Sequence, residues 1–131
     1  MKKCGIMNRE LSQVVAGMGH NDMLMVCGSA YPIPDGERRI DLALEPGLPA
    51  FMDVVRVILK ELEVERFIVA QQTKERSPKR FEEICRILDT KELIVVDQLK
   101  LKEMGHLTKA YVRTGECTPF SNVILVSGVI F

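Results

Sequence analysis

The sequence predicts an α/β fold, three layers deep, in which a mixed and largely parallel sheet lies between helices. Three observations predict it. Apolar runs of strand length alternate with amphipathic stretches of helical period along most of the 131 residues. The middle runs, such as MLMVC (23–27) and RFIVAQ (66–71), are largely apolar on both faces, as strands covered on both sides are. No internal repeat, low-complexity tract or linker interrupts the alternation, so residues 1–131 are expected to form one domain.

The elements follow in order. Asn8 is an N-cap for a first helix carrying Leu11, Val14, Val15 and Met18 at helical spacing, and Gly19 is expected to close it in the left-handed C′ position. MLMVC (23–27) reads as a buried strand. GSAYPIPDGERR (28–39), with two prolines and Asp-Gly, reads as loop. IDLAL (40–44) is a short strand broken by EPGLP (45–49). A second helix covers about 50–63, with Phe51, Val54, Val55, Ile58 and Leu62 on one face, and the strand 66–71 follows. Ser77-Pro78 suits the N-cap and first turn of a third helix that buries Phe81, Ile84, Cys85 and Leu88. ELIVVD (92–97) is a strand, LKLKEMG (99–105) a short helix, KAYVRTG (109–115) a strand, and NVILVSGVIF (122–131) one long closing strand.

Composition excludes several function classes. Eighteen basic and eighteen acidic residues cancel, so the accumulated positive charge that non-specific nucleic-acid binding draws on is absent. The most basic stretch, KERSPKR (74–80), reads as a solvated loop and helix start. No apolar run reaches the 18 or so residues of a membrane span, and the N-terminus lacks a signal-peptide pattern. The four cysteines (4, 27, 85, 117) form no CxxC pair, and two histidines leave no zinc spacing. Cys27 and Cys85 read as small core residues, and a reduced, cytoplasmic protein is expected.

Chemistry is expected in loops at strand ends. Three are richer than connection requires: GHND (19–22), GSAYPIPDGERR (28–39) and RTGECTPFSN (113–122). No phosphate loop, GxGxxG or GxSxG occurs, and Cys117 beside Glu116 has no electropositive niche. Arg113 and Glu116 are expected to pair within their loop as structure. His20 is either a helix C-terminal histidine favoured by the dipole or a proton-transfer group at the lip of a pocket. One such imidazole among neutral hydrogen-bonding residues suits a small, uncharged, hydroxyl-rich ligand.

MGHND (18–22), YPIPDGERRIDLALEPGLPAFMDVV (31–55) and RTGECTPFSNVILVSGVIF (113–131) together closely resemble the ribose pyranase and fucose mutarotase family, nearer the ribose branch. The resemblance covers essentially the whole chain. It implies an intramolecular isomerase that interconverts cyclic forms of a free monosaccharide, without cofactor or metal. It also implies a ring-like homo-oligomer, a homodecamer as the family's usual form, with sites near subunit boundaries. The family's catalytic histidine falls on His20, as proton donor to the ring oxygen. Its sugar-contacting Tyr-Ala-Asn falls on Phe120, Ser121 and Asn122.

Three positions depart from the family pattern. Gly28 stands where an aspartate is usual, Gln98 falls where a second histidine is expected, and Phe120 keeps an aromatic face without the phenol. Gln98 can bind a hydroxyl but cannot transfer a proton near neutral pH. Ser29 and Asp35 are the nearby residues able to replace the lost carboxylate contact; His106 lies eight residues beyond Gln98 and is not assigned its role. The departures keep a second reading open: a sugar-binding or regulatory ring protein of the same fold with impaired catalysis. Activity on a different sugar is a third.

Overall fold

A computed structural model describes residues 1–131. The elements are α1 (Arg9–Gly17), β1 (Met23–Cys27), β2 (Arg39–Asp41), α2 (Phe51–Leu59), β3 (Val64–Ala70), α3 (Gln71–Arg76), α4 (Pro78–Ile87), β4 (Glu92–Val96), α5 (Gln98–Gly105), β5 (Tyr111–Arg113) and β6 (Val123–Ser127). The six strands form one sheet in the order β2-β5-β1-β6-β3-β4. β2, β5 and β1 pair in parallel, as do β3 and β4, while β6 is antiparallel to both β1 and β3. Five strands therefore point one way and β6 alone points back. The sheet is mixed and largely parallel, as its sequence predicts.

Two apolar cores confirm the three layers. The larger unites α1, α2 and α4 with one face of the sheet through Leu11, Val14, Phe51, Val55, Ile58, Ile84, Leu24 and Phe67. The smaller joins the other face to α5 and to the Tyr31–Ile33 loop through Met25, Ile68, Leu101, Tyr111 and Ile124. Alternate residues of β1 and β6 thus enter opposite cores, which is why both read as continuous apolar runs. Burial pushes the Cys27 thiol up to about 12, against the opposing pull of Arg113 and Arg39, so it is an inert core residue.

Helix starts match the sequence better than helix ends. The Asn8 side chain accepts the Leu11 N–H at 2.9 Å, capping α1. α1 ends at Gly17, however, and Met18 leaves it in extended conformation. Gly19 does not take the left-handed position. Its N–H is held by the Asp22 carboxylate at 2.8 Å, and Asn21, at φ 70°, makes the left-handed turn instead. Asparagine tolerates that region because its short side chain bonds locally.

α2 stops at Leu59 rather than near 63, leaving through i→i+3 bonds from Lys60 to Val57 and Glu61 to Ile58. β2 is only three residues long, because Leu42 is the last residue held by the β5 side, through the Arg113 carbonyl. β5 is confined to 111–113, and β6 ends at Ser127, leaving Ile130 and Phe131 exposed. Ser77 and Pro78 do begin α4, yet the Ser77 hydroxyl does not cap it; it donates to the Pro119 carbonyl at 2.6 Å. α3 has no counterpart among the elements that the sequence predicts.

Candidate functional site

Five strands sharing one direction bring their carboxyl ends to one edge of the sheet, where the amino end of the reversed strand β6 joins them. At that edge lies a cavity of about 480 Å³, lined among others by Gly28, Ser29, Tyr31, Gln98, Lys102, Glu116 and Phe120–Asn122. Its size falls in the ordinary range for small-molecule sites. Each wall follows from a connection: Gly28 from the end of β1, Gln98 from β4 into α5, Glu116 from β5, and Asn122 from the start of β6. A crevice at the carboxyl ends of the strands is where open α/β sheets bind ligands.

Four residues singled out in the sequence thus converge here: Gln98, Phe120, Ser121 and Asn122. The Asn122 Oδ1 accepts the Gly28 N–H at 3.2 Å, which fixes the amide's orientation and leaves its Nδ2 without a partner in the chain. Ser121 is buried, and its Oγ accepts from Arg80 Nε at 3.0 Å, so its own proton is available to a ligand. The Gln98 Oε1 is buried with no hydrogen-bond partner. Buried polar atoms are rarely left so, and a ligand hydroxyl would satisfy this one. Phe120 is held at φ 58°, a left-handed conformation that costs a bulky residue on the order of 1–3 kcal/mol.

Behind the wall stands an ion pair. Arg80 Nη2 lies 2.9 Å from Glu116 Oε1, with side chains only 12% and 11% exposed, and the guanidinium covers the Phe51 ring at 5.4 Å. The Glu116 carboxylate also accepts the Phe51 N–H at 3.1 Å and the Thr118 N–H at 3.2 Å. It therefore caps α2, whose N-cap residue Ala50 has no side chain able to do so. Burial pushes the Glu116 carboxyl up, but the N–H groups of Phe51 and Thr118 and the charge of Arg80 outweigh it and hold it below the ordinary value. Glu116 is thus a saturated structural anion, not a proton donor.

The expected pairing of Arg113 with Glu116 is corrected. Arg113 instead grips both Asp41 oxygens at 3.1 Å and the Ser29 carbonyl at 3.0 Å. The two side chains emerge from neighbouring positions but turn toward different elements. Gly115 between them is required, because a Cβ there would run into the Leu48 backbone.

The structure does not bring His20 to this cavity. His20 precedes β1, whereas the cavity follows it, and β1 alone advances about 13 Å at roughly 3.3 Å per residue. The imidazole sits at the opposite edge of the sheet, beside the end of β6, where the Asn21 N–H bonds the Ser127 carbonyl. It is half exposed, and its Nε2 lies 3.0 Å from Glu65 Oε2. A carboxylate only accepts, so Nε2 carries the proton and Nδ1 is free. Both sequence readings of His20 need amending: it caps no helix, and within one chain it stands at no lip of the candidate site.

Of the suggested replacements for the lost carboxylate, Ser29 lines the cavity and Asp35 does not. His106 lies outside it, with Nδ1 2.9 Å from Glu37 Oε1. Gly28 accepts its role sterically: a Cβ would meet the Glu116 carbonyl at 3.3 Å, tight but not prohibitive. The residues that sequence reasoning missed are Thr73, whose Oγ1 donates to the Phe120 carbonyl at 2.7 Å, with Ser77 and Arg80. No local signal marks them, since their partners lie more than 40 residues away.

Fold and cavity together define a class: an α/β protein with a crevice of small-molecule size into which a few uncommitted hydrogen-bonding groups, Gln98 Oε1, Asn122 Nδ2 and the Ser121 hydroxyl, converge. Similarity to known proteins narrows it. Residues 1–130 match the family described as the RbsD / FucU transport protein family, and the chain belongs to that family. It is 52% identical to a D-ribose pyranase of Symbiobacterium thermophilum and 47% identical to one of Lactobacillus acidophilus, with both chains of each pair covered in full. Its structure is similar to that of Bacillus subtilis RbsD complexed with D-ribose, at a TM-score of 0.96, 37% identity and full coverage of both chains. The fold is also that of a Streptococcus pneumoniae fucose mutarotase in complex with L-fucose, at a TM-score of 0.77, 19% identity and 99% and 100% coverage.

Proposed function

We propose that this protein is a sugar pyranase or mutarotase, an intramolecular isomerase that interconverts cyclic forms of a free aldose, with D-ribose as the substrate. The observation that carries the reading is the convergence of Gln98, Phe120, Ser121 and Asn122 on one cavity, in a chain 52% identical over its whole length to a D-ribose pyranase. The ribose held by the similar Bacillus subtilis structure and the fucose held by the Streptococcus pneumoniae one support a monosaccharide ligand.

Opening a hemiacetal ring requires a proton on the ring oxygen and loss of one from the anomeric hydroxyl. The cavity supplies positioning: Asn122 Nδ2 and the Ser121 hydroxyl donate, Gln98 Oε1 accepts, and the Phe120 ring offers an apolar face. Within one chain it holds no imidazole and no carboxylate free to transfer a proton. His20, with Nδ1 free and Nε2 anchored on Glu65, is the group suited to that step. On this reading a neighbouring copy's His20 completes the site, since its own chain holds it at the far edge of the sheet. A ring-like homodecamer with sites at its subunit boundaries accommodates that arrangement, and exposed Leu99, next to Gln98 at the start of α5, provides apolar surface for the contact. We place the protein in the cytoplasm, in keeping with its four free cysteines.

Saturation-transfer NMR on free D-ribose tests the reading. Exchange between pyranose and furanose signals is expected to be about 10²–10⁴-fold slower above background with His20→Ala than with wild type. Equal rates for the two proteins would refute it. The absence from the cavity of an imidazole and of an uncommitted carboxylate favours a second reading, a sugar-binding or regulatory ring protein without catalysis. Calorimetric binding of D-ribose together with null exchange by the wild type would establish that one instead.

A further inference from the structure

The segment from Gln72 to Arg80 contributes no residue to the lining of the cavity, yet it touches both of its walls. Gln72 Oε1 accepts the Gln98 N–H at 2.9 Å, and its Nε2 donates to Asp97 Oδ1 at 2.9 Å, fixing the start of α5. The adjacent Thr73, fully buried, donates to the Phe120 carbonyl at 2.7 Å. Ser77 donates to the Pro119 carbonyl and Arg80 to the Ser121 hydroxyl. One helical elbow, α3 into α4, therefore holds the Gln98 wall with one residue and the Phe120–Asn122 wall with three.

What it holds is not a conformation the loop would choose. Phe120 sits at φ 58°, and Cys117, Thr118 and Pro119 before it are exposed, so the approach to the strand-entry turn has little packing of its own. We infer that Thr73, seconded by Arg80, is a positioning residue for sugar binding: it keeps Phe120, Ser121 and Asn122 preordered at the distance from Gln98 that a monosaccharide spans. The inference rests on the sugar-binding reading above. A loop ordered in advance spares the ligand the cost of ordering it, so loss of the clamp falls on binding rather than on proton transfer. His20, at the other edge of the sheet, touches none of these residues.

The test compares wild type with Thr73→Val, Thr73→Ser and Arg80→Lys in the assembled protein. D-ribose binding is read by calorimetry and ring exchange by saturation transfer. Thr73→Val, which removes the hydroxyl at nearly constant volume, is expected to weaken ribose binding about fivefold, the size of one hydrogen-bond contribution. Exchange at saturating ribose is expected to stay within about twofold, because the His20 imidazole proposed to transfer the proton is untouched. Thr73→Ser restores the donor and should return binding to within about twofold of wild type. Arg80→Lys keeps the charge beside Glu116 but cannot place Nε on Ser121, so it too should weaken binding, and it serves if the valine variant does not fold. A folded Thr73→Val with unchanged ribose affinity, or one with a lower melting temperature alone, overturns the inference. If wild type binds neither D-ribose nor any other aldose, the sugar reading itself has failed, which is a different result.

Discussion

Replacing Arg80 by Met removes the cation from a nearly buried pair and leaves the Glu116 carboxylate where it was. At 2.9 Å and an effective dielectric constant of about 20, the attraction lost is on the order of 6 kcal/mol. Part of it is returned, because Glu116 keeps the Phe51 and Thr118 N–H groups and because the cost of desolvating Arg80 disappears. The net loss expected at pH 7 is about 3 kcal/mol, the low end of what breaking one partner of a buried pair costs. In a chain of this length that corresponds to a melting point lower by roughly 10 °C.

The pH dependence has a definite sign. Glu116 is held below its ordinary value in the folded protein, so its stabilisation is present above the unfolded carboxyl value. It is lost as pH falls through the folded one. Without Arg80 that depression is reduced, while the Phe51 and Thr118 N–H groups keep the rest of it. The gap between wild type and variant should therefore narrow as pH drops from 7 to about 4. Urea denaturation at fixed protein concentration, with the m-value checked, measures both quantities. A loss under about 1 kcal/mol at pH 7, or a gap unchanged between pH 7 and 4, would refute the assignment of this pair as the support of α2 and of the 116–122 loop.

Three further outcomes are expected. Asn122→Ala removes both the acceptor for Gly28 N–H and the free Nδ2, so ribose affinity should fall about tenfold by calorimetry while stability drops by about 1 kcal/mol. Glu65→Gln removes the carboxylate that orients His20, so saturation-transfer exchange should slow by about tenfold or more with ribose affinity unmoved; unaltered exchange would sever Glu65 from the reaction. Ile84→Ala, at a fully buried position between α4 and the larger core, should cost about 2–5 kcal/mol in denaturant titration and leave the cavity's residues in place.

Elements whose signals are local are legible in the sequence itself. Asn8 caps α1 because its side chain reaches three residues ahead, and Ser77-Pro78 opens α4 because proline's fixed φ suits a first turn. α3 is not legible: QQTKER carries no apolar periodicity, and it exists because Gln72 and Thr73 find partners 26 and 47 residues away. Leu93 and Val95 look like interior strand residues, yet β4 lies at the sheet's edge and leaves both partly exposed. Position in the sheet order, not residue type, decides that.

Sequence alone determined the α/β class, because hydrophobic period is a property of neighbouring residues; the grouping of Gln98, Phe120, Ser121 and Asn122 was what the family resemblance implied, and the fold lines one cavity with all four. Tertiary structure alone decided which charges meet and which ends of strands coincide. It gave Glu116 to Arg80 rather than to Arg113, and it set His20 across the sheet from the cavity. The reason is physical: reversing a single strand, β6, fixes which loops share an edge, and strand direction depends on pairings between segments far apart in the chain.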